Sequence, residues 1–214
     1  MSIALYYGPG ACSMGPHIVL NEAGIDYEPR KVNLAEKANQ QPEYLAINPK
    51  GRVPALQIDG FILTEASAIL SYLGRRFPNT KMYAESGEGE ARMLEWMSWC
   101  SNTVHPAFAH VRRTERYTDD ASAFPGIQQK GEATFWDCLN TIDKALAGKK
   151  YALGDAYSLA DPYFLVFFGW GNSLKKVDMA QKFPNYAAFA RRMLERPAVK
   201  KVVELEGTKE RFTF

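Results

Sequence analysis

Cysteine and histidine are scarce in this chain, with three of each in 214 residues. Cys12, Cys100 and Cys138 are odd in number, widely spaced and contain no C-x-x-C pair. That excludes a disulfide framework and gives no spacing for a zinc site, so a reducing compartment and no metal are expected. Charge of one sign is also missing: 26 Lys and Arg against 24 Asp and Glu leave +2, too little to suggest a nucleic-acid partner. No apolar run approaches the roughly 18 residues of a membrane helix. The first residues lack the basic start and the roughly 7- to 15-residue apolar core of a signal peptide, so a cytoplasmic protein without a membrane partner is expected. Internal repeats and low-complexity tracts are absent too.

What is present changes character near residue 78. Ile3 to Tyr7 reads as a buried strand, and His17 to Ala23 as a helix with Gly24 just past its end. Tyr27 to Leu34 reads as a second strand. Pro54 to Ile58 and Phe61 to Leu63 form a hairpin around Asp59-Gly60, a favoured turn dipeptide. Glu65 to Phe77 carries Ile69, Leu70 and Leu73 at helical spacing. The pattern predicts an α/β domain over residues 1–78, a linker over 79–88 and an all-helical domain over 89–214. In the last of these, Met93, Met97, Cys100, Val104 and Val111 recur at helical spacing, as do Phe135, Leu139, Ile142 and Leu146. Ser158-Leu159-Ala160-Asp161 has the form of a helix N-cap, which accounts for Asp161 without catalysis. Leu205 to Phe214 makes no periodic pattern.

The stretch Gly8-Pro9-Gly10-Ala11-Cys12-Ser13 lies where a strand hands over to a helix. A thiol there meets free N–H groups and the positive end of the helix dipole, conditions that favour thiolate. Cys12 can equally be a small buried hydrophobe, so two readings stand open. Gly15 occupies the place of a resolving cysteine, which excludes a self-contained dithiol cycle. Glu65 can complement a helix dipole or bind a ligand ammonium. His105 precedes Pro106 inside a long helix, where proline should force a bend, and it shares a face with Ser98 and Asn102. His17 and His110 read as structural, and Trp96, Trp99 and Trp136 as core or interface.

Taken together, PGACSMGPHIVLNEAG, INPKGRVPAL, LTEASAILSYL, SLADPYF and RPAV resemble the cytosolic glutathione transferases, specifically the bacterial Beta class. The resemblance implies a thioredoxin-like N-terminal domain with a mixed four-stranded sheet, an all-α C-terminal bundle, and a homodimer. It implies that Cys12 and His105 are catalytic, and that glutathione is the co-substrate, held by Cys12, Leu34, Lys37, Arg52, Val53, Pro54, Glu65, Ala66 and Ser67. Val53-Pro54 matches a cis-proline segment that pairs with the cysteinyl backbone of the tripeptide. An apolar electrophile would lie between the domains, against Phe108, Arg112, Tyr117 and Trp170. Within that activity, conjugation and glutathione-dependent reduction of disulfides or peroxides both remain open. Ala66 in place of Ser or Thr, Pro106 in place of lysine and Ser98 in place of asparagine depart from the pattern. Those departures support an alternative, a non-catalytic scaffold that binds apolar ligands or protein partners.

Overall fold

The computed structural model describes residues 2–84 and 87–214. Residues 85–86 of the expected linker lie outside the described residues.

The N-terminal part runs β1 (Ile3–Tyr7), α1 (Met14–Glu22), β2 (Glu28–Lys31), α2 (Pro42–Leu45), β3 (Ala55–Ile58), β4 (Phe61–Thr64) and α3 (Ala66–Arg76). The four strands form one mixed sheet in the order β2-β1-β3-β4, with β1 parallel to β2 and the other pairs antiparallel. The hairpin turn has positive φ at both Asp59 (44°) and Gly60 (92°), the geometry that an Asp-Gly pair tolerates best. Leu5, Ile18, Leu56, Ile69, Leu70 and Leu73 are fully buried between the sheet and helices α1 and α3. A smaller cluster, Tyr6, Val32, Tyr44 and Ala55, fills the opposite face.

Two elements differ from the sequence expectation. Helix α1 begins at Met14 rather than His17, because Pro16 falls in the first turn, where its missing N–H has no intrahelical partner to lose. Strand β2 is shorter than Tyr27 to Leu34; it is an edge strand, the one place in a sheet where Pro29 is tolerated.

The rest is helical: α4 (Gly87–Trp99), α5 (His105–Arg112), α6 (Phe124–Ala145), α7 (Ala160–Leu174), α8 (Met179–Lys182), α9 (Pro184–Glu195) and α10 (Pro197–Glu206). Helix α4 therefore takes in Gly87 and Glu88, which the sequence pattern put in the linker. Helix α7 is the centre of the core, with every residue from Ala160 to Gly171 buried. The proline-marked bend takes the form of a π-helical turn over Cys100–Val104, and the His105 N–H donates to the Cys100 carbonyl five residues back. A wider turn makes room for the Pro106 ring where an α-helical carbonyl would crowd it. The extra residue also rotates α5 relative to α4, so Ser98 and Asn102 are exposed while His105 is half-buried and turned onto Trp170.

The expected cap at residues 158–161 is built differently from its pattern. Helix α7 starts two residues after Ser158, and the Asp161 carboxylate accepts from the Ser158 N–H (2.7 Å), the Ser158 hydroxyl (3.0 Å) and the Ala152 N–H (2.7 Å). Asp161 is thus a buried staple for the 152–158 loop. The burial raises its carboxyl to about 7 against those three donors.

Candidate active site at the domain junction

The β1–α1 loop is closed on itself and then held from outside. The Gly8 N–H donates to the Ser13 hydroxyl (3.1 Å), which donates back to the Gly8 carbonyl (3.2 Å). Gly10 has φ of 67°, and a Cβ there would sit 2.3 Å from the Arg211 guanidinium, so only glycine fits. The Gly10 N–H donates to Glu206 Oε2 (2.7 Å), while its carbonyl accepts from Trp170 Nε1 (2.8 Å) and Arg211 Nη1 (2.7 Å). The other Glu206 oxygen accepts from His17 Nδ1 (2.7 Å), and both of those side chains are fully buried. Sequence reasoning missed this clamp: His17 read as plain helix packing, and the tail from Leu205 as patternless. The donors and acceptors alone gave no signal, because the partners lie almost the whole chain apart.

Cys12 sits at the end of this loop, buried in the apolar cluster that includes Tyr163 of α7 and donating its thiol hydrogen to the Val53 carbonyl (3.5 Å). Burial pushes the thiol up to about 12, outweighing the opposing pull of its own N–H and that of Ser13. Glu65 pushes in the same direction as burial and Arg52 opposes it. Of the two readings the sequence leaves open, burial favours the neutral thiol in the free protein. The dipole and the free N–H groups are present, but the desolvation is larger.

The Val53-Pro54 bond is cis. The segment that carries it is fixed from behind. Asn39 and Gln40 donate to the Gly51 carbonyl (2.6 and 2.9 Å), and the Tyr44 hydroxyl and Asn48 amide donate to the Arg52 carbonyl (2.7 and 2.6 Å). These four side chains were not singled out in the sequence. Leu34 packs against Gly8, and Lys37, exposed in a left-handed turn at φ 55°, donates its N–H back to the Leu34 carbonyl (3.3 Å).

Glu65 immediately precedes α3 with φ of 70° and ψ of 121°, a conformation costly for a residue with a side chain and the kind found where backbone is bent toward a ligand. Its carboxylate is exposed and paired with Lys50 (2.7 Å). Ala66 and Ser67 open the helix, so their N–H groups belong to the first turn, which has no intrahelical acceptors.

His105 reaches the same place from the helical domain. It stands edge-on to Trp170 (4.9 Å between ring centres), and Arg52, Arg116 and Glu65 all act on its charge. Burial, with the two arginines, pushes its imidazole down to about 4. Arg52 and Glu65 act on Cys12 as well, so the same two charges influence Cys12 and His105. Of the four predicted pocket residues, Phe108 stacks on Trp170 (4.4 Å) beside His105. The other two lie apart: Arg112 donates to the Ser173 carbonyl (2.8 Å) and Tyr117 stacks on His110 (3.8 Å). A separate cleft of about 470 Å³ between α5 and α6, walled by Asn102, Pro106, His110, Ile127 and Lys130, contains none of the predicted residues.

A thioredoxin-like sheet domain, a helical domain and a cysteine at their junction define the glutathione transferase class of fold. Residues 1–75 match the model of the glutathione S-transferase N-terminal domain and residues 133–197 that of the C-terminal domain. The glutathione S-transferase GstA of Escherichia coli O157:H7 is 31% identical over 208 residues, which are 96% of this chain and 99% of that protein. A glutathione transferase homologue from Sulfitobacter, solved with bound glutathione, superposes with a TM-score of 0.91 at 33% identity, covering 97% of this chain and 99% of its own. The bacterial Beta-class glutathione S-transferase of Sphingomonas chungbukensis superposes at 0.82 with 31% identity, covering 96% and 99%. The chain belongs to the glutathione S-transferase family.

Proposed function

We propose that this protein binds glutathione at the Cys12–His105 junction and activates its thiol. The observation that carries this reading is the convergence of Cys12, the cis Val53-Pro54 segment, the strained Glu65 and His105 around shared Arg52 and Glu65 charges. Glutathione would lie along the Val53 backbone as though it were another strand. Its γ-glutamyl end meets Glu65 and the free N–H groups of Ala66 and Ser67, and its glycyl carboxylate meets Lys37. Leu34, Arg52 and Pro54 complete the contacts.

Because Cys12 holds its proton, its role is to donate a hydrogen bond to the ligand sulfur and so favour the ligand's thiolate. Neutral His105 assists by accepting a hydrogen bond from the ligand thiol, whose proton then leaves to solvent. In conjugation the sulfur then forms a C–S bond to the electrophile while the leaving group departs with its electron pair. In reduction the same thiolate attacks one sulfur of a disulfide, the S–S bond breaks, the departing thiolate takes a proton, and a second glutathione resolves the mixed disulfide. A thiol is a weak hydrogen-bond donor, so conjugation of generic aromatic electrophiles should be slow. The electrophile would pack against Phe108 and Trp170, with Arg112 and Tyr117 further out. Domain limits of 1–78 and 89–214, a homodimeric assembly and a cytoplasmic location belong to the same proposal.

The test is retention on immobilised glutathione, followed by assays of Cys12→Ala. Retention with loss of disulfide reduction in the variant supports the reading. Full reductase activity in Cys12→Ala overturns the reductive branch, and no glutathione binding by any method returns the protein to the non-catalytic alternative.

A further inference from the structure

Glu65, read above as the partner of the ligand's ammonium, holds an ammonium in the free protein. Its Oε1 accepts from Lys50 Nζ at 2.7 Å, and the hydroxyl of the preceding residue, Thr64, accepts from the same Nζ at 3.0 Å. A lysine head and the α-ammonium of a γ-glutamyl group are the same chemical species, a compact cation with three N–H donors. The Lys50 head therefore takes up the acceptor that Glu65 would offer to the tripeptide.

The pairing is built from two fixed ends rather than from two wandering side chains. Lys50 lies in the turn that carries the cis-proline segment. Its own N–H donates to Asn48 Oδ1 (3.1 Å), the Gly51 N–H donates to the Asn48 carbonyl (2.9 Å), and the Asn48 amide, on a buried residue, donates to the Arg52 carbonyl (2.6 Å). Glu65 is fixed by its φ of 70° at the head of α3, where its carbonyl accepts from the Ile69 N–H (2.9 Å). The heads themselves stay in water, with the Lys50 side chain 53% and the Glu65 side chain 64% exposed. An exposed pair is weak, so an incoming ammonium can displace it.

We propose that Lys50 is a built-in competitor for the glutathione ammonium: it occupies Glu65 in the free protein, lets go when the tripeptide binds, and so sets how strongly the site selects for a free amine on the ligand. This deepens the transferase reading and rests on it. Only the fraction of molecules with Lys50 released can take the ammonium, so the apparent dissociation constant for glutathione is raised by that fraction. A tripeptide without the amine leaves the Lys50–Glu65 pair in place and escapes the competition.

The test compares glutathione with glutaryl-cysteinylglycine, the same tripeptide without its α-amino group. Dissociation constants are measured by calorimetry on the full chain at fixed ionic strength. Lys50→Met should tighten glutathione by about two- to sixfold, the range set by the population of an exposed ion pair, and should not tighten the desamino ligand. The sign is diagnostic, because removing a cation weakens an anionic ligand through general electrostatic attraction. Thr64→Val removes one acceptor of the Lys50 head while leaving every charge in place, and it should give part of the same gain. Glutathione binding that is unchanged or weaker in Lys50→Met, or both ligands tightened alike, overturns the competition and leaves the transferase reading intact. Equal binding of the two ligands in every variant takes the ammonium away from Glu65 and also overturns it. Binding of neither ligand by the wild type overturns both.

Discussion

The reactivity of Cys12 separates a thiol that donates from a thiolate that attacks. Burial raises the group from 9.0 to about 12. Three pH units correspond to about 4 kcal/mol against the charged form. At pH 7 the thiolate fraction is then about 10⁻⁵, against about 10⁻² for a thiol at the reference value, a thousandfold difference. Site-resolved alkylation with iodoacetamide, read by mass spectrometry, measures it directly. The log of the Cys12 rate should rise with a slope of one from pH 7 to beyond pH 10, with no plateau. The same scan on Cys12→Ala gives the background from Cys100 and Cys138, both also raised by burial. A plateau below pH 9 would refute the reasoning, because it would mean that the helix N-terminus outweighs desolvation and that Cys12 attacks. The corollary concerns glutathione: removing the donor by Cys12→Ala should raise the bound glutathione thiol by about one to two pH units, the worth of a hydrogen bond to a charged group.

Three further outcomes rest on the same geometry. With His105 held down to about 4, kcat/KM should show no acid limb near 6.5; an inflection there that His105→Gln removes would contradict its burial. Asp161 titrates at about 7 folded against 3.8 unfolded, so between those values the native state holds the extra proton. Its contribution to stability is therefore fully present below pH 4 and declines as pH rises toward 7, and thermal melts of Asp161→Asn should lack that slope. Glu206→Ala leaves two buried donors, Gly10 N–H and His17 Nδ1, without an acceptor, at about 1–3 kcal/mol each. A chain of this size loses roughly 2–4 °C per kcal/mol, so the melting temperature should fall by about 5 to 20 °C, with Glu206→Gln losing less. A fall of under 2 °C would mean that the clamp is not formed.

How much was legible in the sequence depended on the range over which each feature is decided. The β3–β4 hairpin follows from Asp59-Gly60 between apolar runs, and α3 from Ile69, Leu70 and Leu73, because those signals lie within a few residues of the element they specify. The start of α1 was misplaced because Pro16 reads as a breaker until its position in the first turn is known. The π-helical turn was read only as a bend: Pro106 announces trouble with a carbonyl but not which hydrogen-bond pattern relieves it. In the proposed site, Cys12, Val53, Glu65 and His105 were singled out from short segments, whereas the contacts that hold them were not. Cys12 meets Val53 across 41 residues and Gly10 meets Glu206 across 196, and no local pattern records either.

The sequence left the state of Cys12 open for the same reason, and the balance there says something about how this site is made. A helix N-terminus and its free N–H groups belong to the N-terminal domain alone, and taken alone they would favour thiolate. The burial that overrides them is shared between the two parts of the chain, because Cys12 belongs to one apolar cluster with Tyr163 and its neighbours on α7, while Trp170, Glu206 and Arg211 hold both sides of the Gly10 peptide. The thioredoxin-like half supplies a cysteine in a place suited to redox chemistry; the helical half turns it into a proton-holding donor. The chemistry at Cys12 is therefore a property of the junction, and substitutions in α7 or α10 that loosen the clamp should move Cys12 toward thiolate without touching any residue of the loop itself.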